Sequence, residues 1–391
     1  MSNKVLFCAT VDFHFSAFHL PILEWFKQHN WEVHVAAQGE LDLPFVDKKF
    51  NIPIERSPFN RNNVAAYRQL KEIIDHNEYR IIHSHTPMGG VLARLAARES
   101  RKKGAKVIYT AHGFHFCKGS SLMNWALYYP IERTLSRITD CLITINNEDY
   151  NLAVHHNFKS KKIEHVHGVG INTDRFKPLT QAQKKLLRLG SSLNPNDFLM
   201  FYAAEFNRNK NHQLLIRSLA RIKDQVPNAK LLFAGQGSLM EECRELAIQL
   251  GVGRRVEFLG YRNDIDKLLP LCDAAVSGSL REGLPVNIME AMACGLPVIA
   301  TRNRGHLELV KDHENGFIVN PEGINEMSDH MLELAQSEVL RHRMGNWSME
   351  LIKKFDLREV REQLSRIYTP FMEHAEDDMK PLQLGPNMTT T

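Results

Sequence analysis

Short apolar runs rich in β-branched residues alternate with segments of helical period along the whole chain. This alternation is typical of parallel sheets that are covered by helices on both faces. The pattern predicts six strands in each half, at residues 5–9, 33–37, 81–85, 107–111, 141–145 and 163–166, and at residues 198–204, 231–234, 256–259, 274–277, 298–300 and 317–319. We therefore predict an α/β protein with two similar domains that face each other.

The length of the chain agrees with this division. At about 150 residues per domain, 391 residues correspond to two large domains or three small ones. A polar stretch over residues 173–197 separates the two sets of strands. We place the first domain at 1–175 and the second at 176–372, whose last helix is expected to return to the first domain. Residues 373–391 lack periodicity and are predicted to be disordered.

The net charge of +4 is too small to indicate a nucleic-acid partner. Residues 1–175 carry 22 basic and 17 acidic side chains, so this half holds all of the excess. Such basic residues usually form a solvated helix face, and they are also able to attract anionic lipid head groups. The densest basic run consists of Arg94, Arg98, Arg101, Lys102, Lys103 and Lys106.

The sequence predicts neither export nor a membrane span. Its N-terminus lacks the charged region, apolar region and cleavage site of a secretory signal. The longest stretch without Asp, Glu, Lys or Arg has 13 residues, whereas a helix needs about 18 apolar residues to cross a bilayer. The six cysteines are scattered without a C-x-x-C pair, which favours a reducing cytoplasm. We therefore expect a cytoplasmic protein that is able to lie at the inner face of the cell membrane.

The most informative segment covers residues 278–301 and reads GSLREGLPVNIMEAMACGLPVIAT. It follows a predicted strand, and open parallel sheets bind ligands at the carboxyl ends of their strands. Pro285 suits the first helical position, so a short helix is predicted over residues 286–293. Free N–H groups at the start of that helix favour an anion, and Gly283 lets a phosphate approach the backbone. The segment therefore predicts a phosphate cradle.

Two glutamates accompany this cradle in the pattern E-x7-E. Glu290 would lie more than one turn into the helix, where a carboxylate accepts hydrogen bonds from a vicinal diol such as a ribose. Glu282 lies in the loop, where a sugar hydroxyl would be close to the phosphates. Either acid alone would be interpreted as a structural surface residue. The strand, the Gly-Leu-Pro loop and the helix in one register favour the binding role.

This segment resembles the E-x7-E signature of retaining glycosyltransferase family 4. The resemblance extends over about residues 3–370 and includes three further segments, HGVGINTDRF at 167–176, LLFAGQGSL at 231–239 and VEFLGYRNDI at 256–265. The motifs HSHTPMGG and YTAHGFHF are most similar to those of bacterial capsule and exopolysaccharide enzymes. The family implies the GT-B fold, in which two Rossmann-like domains with parallel sheets enclose the active site in the cleft between them.

The resemblance further implies that the second domain binds a nucleotide sugar. It assigns Glu290 to the ribose of the donor. It assigns the donor sugar and the diphosphate to Glu282, Gly283, Leu284 and Pro285, and the nucleotide-side glycine turn to Gly235 and Gly237.

A basic pair normally follows the first strand of the second domain in this family, as Gly-Arg-Leu and then Lys. Here residues 203–210 read AAEFNRNK, so Lys210 matches while Glu205 replaces the arginine. A carboxylate at that position would repel a diphosphate. We therefore expect Arg208 to contact the phosphates, oriented by Glu205. The alternative interpretation of Arg208 is an exposed loop charge.

In the facing domain, His112 resembles the family histidine that touches the transferred sugar. A histidine at the end of a strand and beside a glycine is able to donate to a sugar hydroxyl. The first loop departs from the family, because this chain has TVDFH at 10–14 where many relatives carry a Gly-Gly pair. Asp12, His14 and His85 are therefore expected on the acceptor side.

Nineteen histidines raise the question of a metal site. His83 and His85 point to one face of a predicted strand, but two ligands do not make a zinc site. Neither this pair nor His165 with His167 has a cysteine or carboxylate at ligand spacing. The sequence therefore predicts no metal and no cofactor.

Other functions remain as alternatives. The turn of Gly235 and Gly237 lacks the third glycine of the dinucleotide fingerprint, which argues against a dehydrogenase. Glu282 and Glu290 belong to one nucleotide-side element, so they are not expected to flank a glycosidic bond as a glycosidase pair does. A nucleotide-sugar epimerase of the same architecture and a non-catalytic, two-lobed sugar-binding protein stay open.

The resemblance implies a hexosyl- or N-acetylhexosaminyltransferase that retains the anomeric configuration of its donor. The donor is expected to be a UDP-sugar, and the acceptor a lipid-linked saccharide or an oligosaccharide in exopolysaccharide, capsule or biofilm synthesis. The predicted catalytic residues are His112, Glu282 and Lys210. The expected partners are these two substrates and an anionic membrane surface.

Overall fold

The computed structural model describes residues 2–191 and 193–373. Within these residues the N-terminal sheet has seven parallel strands in the order β3-β2-β1-β4-β5-β6-β7. Its strands are β1 (Lys4–Val11), β2 (Glu32–Gln38), β3 (Lys48–Asn51), β4 (Ile81–Ser84), β5 (Lys106–Ala111), β6 (Cys141–Thr144) and β7 (Lys162–His165). Residues 374–391, which include nearly all of the tail expected to be disordered, lie outside the described residues.

The C-terminal sheet has six parallel strands in the order β10-β9-β8-β11-β12-β13. Its strands are β8 (Phe198–Ala203), β9 (Ala229–Ala234), β10 (Val256–Gly260), β11 (Ala274–Ser277), β12 (Val298–Thr301) and β13 (Gly316–Val319). All twelve predicted strands are present. The sequence did not predict β3, because three of its four residues are polar, all four are exposed or half buried, and the strand lies at the edge of the sheet.

Helices connect successive strands and cover both faces of each sheet, which confirms two facing Rossmann-like domains. The helices are α1 (Phe13–Phe18), α2 (Leu20–Gln28), α3 (Asn62–Asn77), α4 (Pro87–Ala96), α5 (Arg98–Lys102), α6 (Leu122–Leu135), α7 (Asn147–His155), α8 (Gln181–Leu189), α9 (His212–Ile222), α10 (Met240–Gln249), α11 (Ile265–Leu268), α12 (Val286–Ala293), α13 (Arg304–Leu309), α14 (Ile324–Gln336), α15 (Glu338–Ile352) and α16 (Leu357–Met372). In the part of the chain that the structure describes, none of them combines the length and apolarity of a membrane-spanning helix.

Helix α16 lies at the end of the described chain and packs on the N-terminal domain. Its Val360 and Tyr368 are buried in the same core as Phe7 and Phe26. The hydroxyl of Tyr368 also hydrogen-bonds to Nδ1 of His83 at 2.5 Å. The last helix thus fastens the second half of the chain to the first. The exact division at residue 175 stays a prediction.

The basic run at residues 94–106 does not form one solvated face, so that expectation was wrong for two of its members. Arg94 is only 1% exposed, and its guanidinium donates to Glu132 at 2.8 Å and lies over the Tyr109 ring. Arg101 donates to both carboxylate oxygens of Asp140 at 3.0 Å. A buried guanidinium needs such a partner, because an unpaired charge in the interior is costly.

Candidate active site

Each sheet reverses its strand order once, between β1 and β4 in the first domain and between β8 and β11 in the second. In open parallel sheets the crevice at this point, outside the carboxyl ends of the strands, is where ligands bind. Thr86 follows β4 with φ of 62° and ψ of 151°, a strained conformation for a residue other than glycine. Its hydroxyl lies 2.8 Å from that of Thr10, near the end of β1. The loop after β4 is therefore tied to the end of β1 at the crevice.

On the C-terminal side, the structure brings Lys210 and Glu282 together. Lys210 follows β8 in a turn that Asn207 caps, since the Asn207 side chain accepts from the Lys210 N–H at 3.1 Å. The Lys210 ammonium forms an ion pair with the Glu282 carboxylate at 2.5 Å. Both side chains are largely buried but still reach solvent, at 24% and 14% exposure. The pair places one cation and one anion where the two central strands end.

Helix α12 begins at Val286, so the predicted helix is present, but Pro285 is its N-cap residue rather than its first helical residue. The ψ of Pro285 is 116°, which is extended backbone and keeps that residue outside the helix. Its N-cap residue makes no side-chain cap, and Oδ1 of Asn287 accepts from the Ile288 N–H at 3.0 Å, so the N–H groups of Val286 and Asn287 remain uncapped by any described side chain. Asn287 also donates its side-chain amide to the Ala203 carbonyl at 3.0 Å and so ties the helix to β8. Uncapped N–H groups and the helix dipole make this end suitable for an anion.

Glu290 lies one turn further along α12. Burial raises the pKa of Glu290 to about 7, and nearby Asp266 adds to that rise while Arg175 opposes it. Arg175 is itself held by Asp266 through an ion pair of 2.9 Å. Because the carboxylate and the carboxylic acid have similar populations near neutral pH, Glu290 is poised to respond to a partner that hydrogen-bonds to its charged form.

The predicted glycines allow close approach of backbone to backbone. A Cβ atom on Gly235 would lie 2.0 Å from the Ala204 carbonyl oxygen, and one on Gly237 would lie 2.4 Å from that of Phe206. These two glycines therefore let the loop after β9 pack on the loop after β8. A Cβ atom on Gly283 would lie 1.9 Å from the His112 carbonyl oxygen, which belongs to the other domain. At this point the backbones of the two domains are in contact, so the cleft is closed here.

Leu284 and Arg208 differ in their surroundings from the other predicted donor residues. The Leu284 side chain is 9% exposed and packs in the core of the second domain, against Gly168, which lies in the segment 167–176.

Arg208 and Glu205 are both exposed. The Glu205 carboxylate accepts from the Asn207 side chain at 3.1 Å, and within residues 2–373, apart from residue 192, it forms no ion pair with Arg208. The expected orientation of Arg208 by Glu205 is therefore not present.

On the N-terminal side, four histidines meet at the carboxyl edge of the sheet. Nε2 of His112 lies 3.1 Å from Nδ1 of His85, and Nε2 of His14 lies 3.0 Å from Nε2 of His19. Burial lowers the pKa of all four, to about 4 for His14. The sequence reasoning missed His19. It lies five residues after His14, and the break between α1 and α2 turns both rings toward His85 and His112.

Asp12 was expected to meet the acceptor, but its carboxylate is engaged inside the domain. It is 4% exposed and pairs with the Lys49 ammonium at 2.6 Å. It also accepts from the backbone N–H of Leu41 at 2.8 Å. Asp12 therefore holds the loop after β2 against the start of α1, and we leave it out of the proposed acceptor site.

Arg304 is a site residue that the sequence analysis did not find. It begins α13, and its guanidinium donates to the Asp149 carboxylate at 2.5 Å and to the Phe114 carbonyl at 2.7 Å, both in the other domain. It also donates to the carbonyl of Glu282 at 3.1 Å. The one feature of the sequence that could have indicated Arg304 is its position just after β12, because the carboxyl ends of the strands face the cleft. Arg304 links the donor loop to the loop that carries His112.

Two neighbouring cavities open beside the histidines in the N-terminal domain. One has about 400 Å³ and is bordered by His14, Arg56 and Phe13. The other has about 410 Å³ and is bordered mainly by apolar side chains such as Leu92 and Phe116. They share five lining residues, namely Pro58, Pro87, Met88, His115 and Tyr128. The two cavities are therefore adjacent, and together we call them the groove; the first, which holds Thr10, His14, Arg56 and Thr86, we call the polar cavity.

The chain belongs to the family 4-like glycosyltransferases. Residues 184–349 match the family described as "Glycosyl transferases group 1", and residues 4–146 match "Glycosyl transferase 4-like". The chain is 47% identical to the putative glycosyltransferase EpsD of Bacillus subtilis, over 95% of this chain and 98% of that protein. It is 26% identical to an Escherichia coli protein named UDP-Gal:alpha-D-GlcNAc-diphosphoundecaprenol alpha-1,3-galactosyltransferase, over 78% of each. These matches favour a glycosyltransferase over the epimerase and the sugar-binding protein.

Solved structures show the same fold. Anabaena Alr3699/HepE, determined in complex with UDP and glucose, matches with a TM-score of 0.75 and 20% identity, over 94% of this chain and 99% of that one. WaaG, a glycosyltransferase involved in lipopolysaccharide biosynthesis, matches with a TM-score of 0.73 and 17% identity, over 93% and 99%. The two-domain GT-B architecture predicted from the sequence is therefore confirmed.

Proposed function

We propose that this protein transfers a hexose or N-acetylhexosamine from a UDP-sugar to a lipid-linked saccharide, with retention of the anomeric configuration, during assembly of a bacterial exopolysaccharide. One observation carries the proposal. A cation, an uncapped helix start and a buried carboxyl in the second domain face a histidine-lined groove in the first. The relationship to EpsD and to the diphosphoundecaprenol galactosyltransferase supports the pathway and the acceptor class.

The donor is proposed to bind to the C-terminal domain. The start of α12 and Lys210 would hold the diphosphate, and Glu290 would accept hydrogen bonds from the ribose hydroxyls. Lys210 is now paired with Glu282, so an arriving diphosphate would share the ammonium with that carboxylate. Glu282 would then be free to accept from a hydroxyl of the donor sugar. Exposed Arg208 is able to add a second cation from the same turn.

The acceptor is proposed to bind in the groove of the N-terminal domain. His14 borders the polar cavity next to the cleft, and Arg56 at its edge provides a cation for an acceptor diphosphate. The adjoining apolar cavity suits the first part of a lipid chain. A lipid-linked saccharide has this same order of sugar, phosphate and hydrocarbon, which favours it over a free oligosaccharide.

Exposed apolar side chains near this groove are proposed to contact the membrane. Phe13 is 55% exposed at the polar cavity, Phe59 is 81% exposed, and Leu122 and Met123 at the start of α6 are 87% and 77% exposed. The basic run cannot carry this role as a whole, because Arg94 and Arg101 are engaged inside the domain. Apolar side chains inserted at the headgroup level, next to Arg56, fit an anionic lipid surface.

The chemistry follows from this arrangement. As the bond from the anomeric carbon to the diphosphate breaks, the sugar gains oxocarbenium character and the leaving group gains negative charge. Lys210 and the α12 N–H groups would stabilise that charge. The acceptor hydroxyl would attack from the face that the diphosphate leaves and pass its proton to an oxygen of the departing diphosphate, which retains the configuration. His112 would contact the transferred sugar from the opposite domain.

Two measurements test the proposal. UDP is expected to raise the melting temperature more than GDP or ADP at equal concentration, because a ligand stabilises the folded state in proportion to its occupancy. His112→Ala is expected to reduce sugar transfer while UDP still binds, and exposed His29→Ala is its matched control. Absence of UDP stabilisation, or loss of UDP binding in His112→Ala, would contradict the assignment of donor and sugar contacts to the two domains.

A further inference from the structure

Four imidazoles form a compact group that the proposed transfer reaction does not require as a unit. His14, His19, His85 and His112, which we call the histidine cluster, each offer one ring nitrogen, and these nitrogens all lie within 4.8 Å of one another. His14 lies in α1 and His19 in the break between α1 and α2, while His85 and His112 directly follow β4 and β5. Three separate segments of the chain thus converge on one point.

The spacing of the cluster is close to that of a tetrahedral metal site. Nitrogen ligands about 2.0–2.1 Å from a tetrahedral zinc ion lie about 3.4 Å from each other. The pair His14 and His19 is at 3.0 Å, and the pair His85 and His112 is at 3.1 Å. The widest nitrogen separation of 4.8 Å needs to shorten by about 1.4 Å. Rotation of the partly exposed His14 and His112 rings would supply this change.

The hydrogen bonding within the cluster is incomplete. Nε2 of His85 is buried and has no partner among the described residues, although the His85 side chain is only 2% exposed. Buried polar atoms in folded proteins are nearly always paired. The neighbouring His83 shows the ordinary case, because its two ring nitrogens bond to Tyr368 and Thr110. The His85 ring therefore offers an ion either this unpaired Nε2 or the Nδ1 that lies 3.1 Å from His112.

The chemistry of the donor set identifies the class of ion. Imidazole nitrogens suit zinc, copper, nickel and iron, whereas magnesium and calcium prefer oxygen ligands. A neutral imidazole keeps one lone pair that is available to a metal. We infer that the histidine cluster binds one divalent transition-metal ion of the zinc class at the floor of the cleft. This inference does not rest on the proposed function, because it needs neither donor nor acceptor.

Metal binding by the full-length protein tests the inference. After chelator treatment and its removal, the wild-type protein is expected to take up one equivalent of Co²⁺ per chain, with visible absorption typical of tetrahedral nitrogen coordination. Zn²⁺ is expected to displace the Co²⁺ at micromolar concentration. His19→Ala and His85→Ala are each expected to weaken binding by on the order of 100-fold, since even loss of residues that only orient a ligand costs up to that much.

Matched controls separate a built site from general histidine binding. His83→Gln removes a buried histidine next to the cluster that is not one of its four ligands, and His29→Ala removes an exposed one. Both variants are expected to keep the one-equivalent site. Circular dichroism on each variant checks that it is folded. If His19→Ala does not fold, X-ray absorption of the zinc-loaded wild-type protein is expected to show four imidazole nitrogens.

Three results would overturn the inference: no stoichiometric uptake by the wild-type protein, unchanged affinity in folded His19→Ala and His85→Ala, or a shell dominated by oxygen or sulfur ligands. Equal loss in His83→Gln would also overturn it, because binding would then depend on domain packing alone. Sugar transfer is not the readout in any of these measurements. The readouts of the metal site and of the proposed transferase reaction are therefore separate, although both proposals involve His14 and His112.

Discussion

The Lys210 ammonium lies against the Glu282 carboxylate, where the two central strands of the second domain end. A fixed cation at that point stabilises a diphosphate as its negative charge develops. Lys210→Ala is therefore expected to slow sugar transfer by on the order of 100-fold without unfolding the protein. The exposed Lys311→Ala is the matched control and is expected to keep the wild-type rate. An unchanged rate in Lys210→Ala would remove this side chain from the reaction.

The raised pKa of Glu290 makes nucleotide binding depend on pH. Only the carboxylate accepts hydrogen bonds from both ribose hydroxyls, and its pKa is about 7. UDP affinity measured by calorimetry is therefore expected to fall as the pH decreases below about 7. In Glu290→Gln the affinity is expected to be lower at pH 8 and to lose most of this dependence. The exposed Glu245→Gln is the control, and a wild-type pH profile in Glu290→Gln would contradict the ribose assignment.

The same shift predicts a change in stability. The pKa of Glu290 in the folded protein is about 7, above its ordinary value of 4.5, so folding favours the protonated acid. The stabilising effect is complete below about pH 4.5 and is lost as the pH rises through 7. Without nucleotide, Glu290→Gln is therefore expected to melt at a higher temperature than the wild-type protein at pH 8, and to lose this advantage at pH 5. A lower melting temperature at pH 8 would show that Glu290 has a stabilising partner.

At the residue scale, strand ends and a short motif are enough to locate Lys210, Glu282 and Glu290 in the sequence. Their chemistry is local, because each lies within a few residues of a strand or inside one helix. The contacts of His19 and Arg304 are not local. They depend on how α1 meets α2 and on how the two domains approach each other. Neither arrangement can be predicted from the periodicity of the sequence.

At the scale of the elements, the loop before α12 has no room for a larger residue than glycine. A Cβ atom on Gly283 would lie 1.9 Å from the His112 carbonyl oxygen. Gly283→Ala is therefore expected to push the donor loop away from His112 and to reduce transfer by at least tenfold, because small misplacements at reacting groups are costly. Gly190→Ala is the control, since the nearest atom to its Cβ would be 3.7 Å away. Full activity in Gly283→Ala would show that this contact is dispensable.

Apolar runs of three to seven residues were enough to find twelve strands, since both faces of a parallel sheet are buried. Strand β3 was not predicted, because an edge strand does not need an apolar run. The range of α12 was predicted correctly, but Pro285 was expected at the first helical position and is the N-cap residue. Proline is acceptable both at an N-cap and at the first helical position, and only the backbone angles distinguish them.

At the scale of the whole molecule, Arg304 connects the two domains through Asp149 and the Phe114 carbonyl. Arg304→Gln is expected to widen the cleft, which small-angle scattering would record as a larger radius of gyration. Transfer is expected to fall on the order of tenfold because the closed arrangement orients donor and acceptor. Arg302→Gln, at an exposed position, is the control. Unchanged scattering and activity in Arg304→Gln would show that other contacts hold the two domains in the closed arrangement.

Two domains and a cleft were predictable from the order of strands along the chain and from the E-x7-E segment at residues 278–301. The surface of the first domain was not. The basic run suggested a membrane-facing patch, yet Arg94 is buried against Glu132 of a helix 38 residues away in sequence. Partners that are distant in the chain decide which charges reach solvent, and a sequence pattern carries no information on those partners.

The central claim is transfer from a UDP-sugar to a lipid-linked saccharide, and one measurement tests it most directly. Purified protein would be incubated with radiolabelled UDP-sugars and a panel of polyprenyl-diphosphate saccharides, with UDP release and labelled lipid followed together. The account predicts equal amounts of both products, dependent on the acceptor, with a new linkage whose anomeric configuration matches the donor. UDP release at the same rate without acceptor, or a product of inverted configuration, would contradict it.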